Sequence, residues 1–183
     1  MLKKVFFLLV LSGVVLASCN QSAKDNAASL TDTITVTVAT FDTSAHSYVD
    51  RYVWIEGTVL HTCKHGGKRM FLADGNDSIT VEVTAGGEVV KFDETLIGSR
   101  VKVLGTLKEL RIDTKYLNEW EAELMKPEEN HETGVHTAAA GHEDQTAQDK
   151  LATVNAYRTQ LAESGQDHLS FYSIEAISFS ELK

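Results

Sequence analysis

From Tyr52 to Leu107 the chain repeatedly alternates apolar and polar residues, and glycine or Asp/Asn clusters end each run. A period of two is the pattern of a strand with one buried face, and breaks at such residues are turns. Val53, Ile55, Val59, His61, Cys63 and His65 share one parity in the first run, with Gly57 between them. That run ends at Gly66-Gly67, a pair that predicts a two-residue hairpin because both positions tolerate positive φ. The return strand, Lys68 to Ala73, stops at Asp74-Gly75-Asn76-Asp77. Ser78 to Thr84 form a third strand, with Ile79, Val81 and Val83 on one face and Thr80 and Glu82 on the other. After Gly86-Gly87, Phe92 to Ile97 suggest a short helix entered through Asp93, and Arg100 to Leu107 give a fourth strand. Ser170 to Phe179 is the remaining strong strand candidate.

Three strands, a short helix, a fourth strand, an interruption and a closing strand follow the order of a five-stranded Greek-key barrel, the OB-fold. Gly57, in the middle of the first strand, suits the point where that strand must coil around the barrel. The interruption carries two helical periodicities: Tyr116, Leu117, Trp120 and Leu124, then Leu151, Val154, Tyr157, Arg158 and Leu161. The expected fold is therefore an all-β core, a five-stranded OB-fold barrel, with a two-helix insertion between strands 4 and 5 at about residues 112–166. Ahead of the barrel, Ile34, Val36 and Val38 alternate with threonines as a short edge element, and Thr43 to Asp50 read as a turn or short helix.

The N-terminus bears on location. Lys3 and Lys4 precede an apolar run, Val5 to Leu16, that is too short for a permanent membrane span and ends in Leu16-Ala17-Ser18-Cys19. This order resembles the lipobox of bacterial lipoproteins. The resemblance implies cleavage before Cys19 and acylation of that residue, with 1–18 a signal peptide. Residues 19–30, small and polar, then form a tether, and 31–183 form the domain. Asn20 after the cysteine, by similarity to lipoprotein sorting patterns, favours the outer membrane over the inner. The stretch from Gly57 to Leu72 looks like one branch of uncharacterised bacterial lipoproteins with an OB-fold core, which implies fold and a cell-envelope location but no activity.

The 183-residue chain has a net charge of −9, and loss of Lys3 and Lys4 with the signal would make it more acidic still. Such a surface repels polyphosphate, so nucleic acid is an unlikely partner. It does not attract anionic lipid either, so membrane attachment rests on acyl chains, each buried methylene contributing about 0.8 kcal/mol.

Candidate chemistry centres on the first hairpin. His61, Cys63 and His65 share one parity, with His65 opposite Lys68, Cys63 opposite Met70 and His61 facing Leu72. With Met70 they offer imidazole, thiolate and thioether, a set suited to copper, with zinc or haem contact as further options. Residues four apart in a strand lie about 13 Å apart, so one ion reaches at most an adjacent pair unless the strand bends. Lys64, Lys68, Arg69 and Phe71 form a basic, aromatic cluster that suits an envelope protein or glycan, with Cys63 then merely packed. A redox-reactive Cys63 is a third option, weakened because Cys19 is the one other cysteine and is spoken for by the lipid. His131, His136 and His142 in the insertion lack the compact spacing of a zinc motif, and residues 126–150 read as a solvated acidic loop. The chain carries no Gly-x-Ser-x-Gly, phosphate loop or Cys-x-x-Cys-His, so a binding or accessory role is favoured over an enzyme.

Overall fold

In the computed structural model the described residues are 32–64, 66–75, 79–126 and 146–183. Six strands are present among them: β1 (Ile34–Thr37), β2 (Tyr52–Thr62), β3 (Arg69–Ala73), β4 (Val81–Ala85), β5 (Arg100–Asp113) and β6 (His168–Glu181). Three helices accompany them: α1 (Phe41–Ser44), α2 (Thr114–Leu124) and α3 (Ala147–Ser164).

The sheet order is β1-β2-β3-β4-β6-β5, and a further β2–β5 pairing closes the last five strands into a barrel. All contacts of the barrel are antiparallel except β4–β6, which is parallel. Taking β2 to β6 as barrel strands 1 to 5, this is the 1-2-3-5-4-1 closure of an OB-fold. β1 is an addition, laid parallel to β2 from Ile34↔Val53 to Thr37↔Glu56.

β2 must serve two neighbours. Its first half, Tyr52 to Thr58, pairs with β5, and its second half, from Thr58 on, pairs with β3. The strand coils where the partners change, and there Gly57 is required: a Cβ at this position would lie 3.0 Å from both the Ala73 carbonyl oxygen and the Leu72 Cβ. Val53, Ile55, Val59, Met70, Leu72, Val83, Val101, Val103, Leu107 and Ile174 fill the interior and are fully buried. Phe41 and Ala45, from α1 and the turn after it, join that core, as do Phe92 and Leu96 around a 3₁₀ turn at Glu94–Leu96. Asp93 caps that turn by accepting the Thr95 N–H, the entry expected from the sequence.

β5 and β6 do not stop at the barrel. Their pairing runs on from Lys108↔Ser173 to Asp113↔His168 as a two-stranded ribbon. α2 leaves the end of β5 directly, with Asp113 accepting the Tyr116 N–H at 2.7 Å. α3 opens with a Thr146/Asp149 capping box and ends at Gly165, whose φ is 65°. The two helices pack on one face of the ribbon around a second core of Ile112, Leu117, Trp120, Val154, Leu161 and Leu169. Arg158, which falls in the periodicity of α3, instead reaches α2, donating to Asn118 Oδ1 at 2.8 Å and Glu121 Oε2 at 2.7 Å. The insertion is thus anchored by its own core at the outer end of the ribbon. No described helix is long and apolar enough to cross a membrane.

Candidate ligand-binding groove

The groove arises where two pairings of β6 end at different places. β4 leaves β6 at Val83↔Ile174, whereas β5 stays with β6 as far as His168. Between the barrel wall and the departing ribbon a concavity of about 460 Å³ opens. One wall is the outer face of β3 and β4, carrying Phe71, Glu82 and Thr84, with Thr80 just before β4. The other wall is Leu110 and the segment from Ser170 to Ser173, and Asp42 of α1 closes one side. This is the strand 2–3 face of the barrel with the strand 4–5 insertion beside it, the surface on which OB-folds receive ligands.

Period-two alternation explains each wall. Val81 and Val83 point inward, so Thr80, Glu82 and Thr84 point out. Phe71 sits between inward Met70 and Leu72 and pairs in register with Glu82. Burial pushes the Glu82 carboxyl above its usual range, and the guanidinium of Arg69 partly offsets that rise. Arg69 is 8% exposed and pairs with Thr84. No lysine or arginine is among the described residues of the lining. The groove therefore joins aromatic surface, hydroxyls and carboxylates, a lining whose charge favours cations over anions.

Ser170, Glu109 and His168, near the groove, are not ordered as a serine triad. Ser170 Oγ donates to Glu109 Oε1 at 2.6 Å, and His168 Nε2 lies 4.0 Å from the same carboxylate oxygen. The carboxylate thus stands between serine and histidine, whereas nucleophile activation needs the imidazole against the hydroxyl. Arg111 and Asp167 also contact the His168 ring, and His168 holds Asp167 below its usual carboxylate range.

The first hairpin departs from the sequence expectation. A β-bulge lies between Val59 and His61, so Leu60 has no directly opposed partner and the parity reverses beyond it. His61 turns outward opposite Phe71, and Thr62 turns inward opposite Met70. The turn is also longer than two residues: the Cys63 N–H donates to the Arg69 carbonyl, and the Gly67 N–H to the Cys63 carbonyl. Gly66 and Gly67 do adopt positive φ, 88° and 63°, as their sequence implies. His61 is thus exposed, and Cys63, beyond the end of β2, is buried in the turn, so the two do not share the barrel-facing side that strict alternation predicts.

The residues singled out from the sequence fall in four places. Phe71 lines the groove, and His61 stacks on it with ring centroids 5.9 Å apart. Cys63 is buried, as is Arg69, which therefore does not join an exposed basic cluster with Lys64 and Lys68, and Met70 packs in the barrel core. Lys64 and Lys68 stand exposed at the hairpin, where Lys68 Nζ donates to the Val90 carbonyl at 2.8 Å. Cys19, His65, His131, His136 and His142 lie outside the described residues. Among the described residues, no three His, Cys, Asp or Glu side chains come together as a metal site. Sequence reasoning overlooked Glu82 and the segment from Ser170 to Ser173; the adjacent aromatics Phe171-Tyr172, which a strand must send to opposite faces, were the available signal.

No protein-family profile matches the chain, and no curated protein does. Among solved structures it is similar to an aspartyl-tRNA synthetase crystal structure from Leishmania major Friedlin, at 26% identity and a TM-score of 0.32. The overlap covers 50% of this chain and 18% of that one, so the chain spans under a fifth of the synthetase. The OB-fold assignment rests on the strand order and closure of the barrel itself.

Proposed function

We propose that this protein is an exported, lipid-anchored binding module of the bacterial cell envelope that receives an envelope protein or glycan in the groove between β4 and β6. The observation that carries the reading is the position and lining of the groove. It lies on the strand 2–3 face of an OB-fold, and it combines Phe71 and Tyr172 with Glu82, Thr80 and Thr84. Lipid attachment at Cys19 is supported by Lys3, Lys4, the apolar run and the small residues before the cysteine, and Asn20 favours the outer membrane. The acidic chain and acidic groove argue against nucleic acid as the occupant.

The test is photo-crosslinking in the envelope of a bacterial host. A photoreactive residue at Thr80, exposed on the groove, is compared with one at Glu88, which lies on a separate concavity formed with Ile177 and Phe179. A discrete adduct from position 80 and none from position 88 is the expected result. Equal capture from both positions, or none from position 80, contradicts the proposal.

A further inference from the structure

We infer that the groove takes an extended peptide segment bearing lysine or arginine at alternate positions, which adds as a strand to the edge of β6 at Ser170–Ser173. The inference rests on the groove being the binding surface and names its occupant.

The edge is the first reason. From His168 to Ser173, β6 is paired with β5 on one side, and the pairing with β4 on its other side begins at Ile174. Among the described residues, no strand covers that second side. A strand edge presents N–H and C=O groups that a further chain satisfies by the same ladder, and peptide recognition by strand addition uses this directly. The lining is the second reason. Ser170 and Tyr172 belong to one face of β6, Phe171 and Ser173 to the other, and all four border the same concavity. A cavity touches both faces of a strand where it meets the strand edge-on.

Charge selects the peptide. An added strand sends alternate side chains to opposite sides. By register Glu82 lies on the same face as Phe171 and Leu110. One set would therefore meet that carboxylate and the aromatic surface beside it, with no basic residue among the described lining, and the other would meet the face of Ser170 and Tyr172. A peptide alternating cationic with apolar residues matches both. The chain's own segment 127–145 is a poor occupant, because it holds five acidic residues and no lysine or arginine. The tether, residues 19–31, holds one lysine beside one aspartate and does not alternate cationic with apolar residues, so the occupant is another chain. Six edge residues span about 20 Å at 3.3 Å per residue, enough for a segment of similar length.

The experiment uses the full chain in detergent with an alternating lysine–valine heptapeptide fused after Lys183. The Gly-Ser linker, about twenty residues long, holds the peptide near millimolar effective concentration. Hydrogen exchange is read over residues 169–173. The expected result is slowing of about tenfold or more at these amides, lost when the lysines of the peptide are replaced by glutamate and reduced by Glu82→Gln. The free peptide and a version N-methylated at alternate amides are compared by fluorescence anisotropy, and N-methylation is expected to abolish binding. No slowing with the fused peptide, or binding indifferent to N-methylation, overturns strand addition. A β-1,4-linked N-acetylglucosamine hexamer is the second probe. If it alters exchange at the groove while the fused peptide does not, the groove remains the binding surface and the peptide assignment falls. If neither probe acts there and Thr80 captures nothing, both fall.

Discussion

Phe71 stands directly across the β3–β4 ladder from Glu82, so the aromatic surface of the groove and its half-buried carboxylate are neighbours by register. Cross-strand neighbours have Cβ atoms about 5 Å apart, close enough for one ligand group to meet both. A cation there gains the carboxylate and the ring face together. With no ligand the carboxylate bears a desolvation cost that Arg69 offsets only in part.

This arrangement sets a pH dependence. Glu82 has its folded pKa raised above the ordinary 4.5, with burial the larger cause and Arg69 opposing it. The folded state then holds the proton more tightly than the unfolded state, and stability falls as pH rises from the ordinary value through the raised one. Glu82→Gln should remove that decline. Thermal unfolding from pH 4 to pH 7 is expected to show the variant gaining on the parent as pH rises, and a constant difference would contradict the assignment. Affinity for a cationic ligand should move the opposite way, strengthening in the parent as Glu82 ionises.

Gly67 is the hairpin position least able to change. Its φ is 63°, and an added Cβ would lie 2.4 Å from the Phe92 carbonyl oxygen, which is backbone. The Phe92 N–H donates to the Gly67 carbonyl at 2.7 Å, tying the two loops together. Gly67→Ala should therefore cost about 1–3 kcal/mol or more. Gly66→Ala meets nothing nearer than Lys68 Cγ at 3.9 Å and should lose less, though it too has positive φ. Denaturant midpoints for the pair settle the order.

Thr62 carries a hydroxyl that the barrel does not use. It is 1% exposed, and its Oγ1 has no hydrogen-bond partner among the described residues. Valine has the same shape without the buried polar atom, so Thr62→Val should raise stability by about 1 kcal/mol, read as a higher unfolding midpoint. A loss of stability would show that the hydroxyl is satisfied in solution.

For the proposed anchor, the chain produced in a bacterial host should incorporate labelled palmitate, and Cys19→Ala should abolish that incorporation. No label in the parent chain would contradict the anchor.

The alternation from Val53 to Leu107 made the barrel strands legible, since each buried face recurs every second residue. The helical stripes of Leu117, Trp120, Val154 and Leu161 did the same for the insertion. Parity failed past Val59, because a bulge at Leu60 reverses His61 and Thr62 and leaves no mark in the composition, and β2 ends before Cys63. That reversal is why His61 joins Phe71 outside, while Cys63 is buried in the turn beyond the strand. Glu82 read only as an outward residue of a strand. Its importance depends on where β6 parts from β4, and that point is set by the long β5–β6 pairing and the second core beneath α2 and α3. Such a departure is a tertiary property, invisible to a pattern read along one strand.

The most direct test of the groove is an amide chemical-shift map of the isotopically labelled full chain in detergent, titrated separately with the free cationic peptide and the N-acetylglucosamine hexamer. The account predicts shifts concentrated around Phe71, Glu82 and Ser170–Ser173 with at least one of them. Shifts confined to the hairpin at Lys64 and Lys68, or to the concavity at Glu88, would contradict it, as would no shift with either.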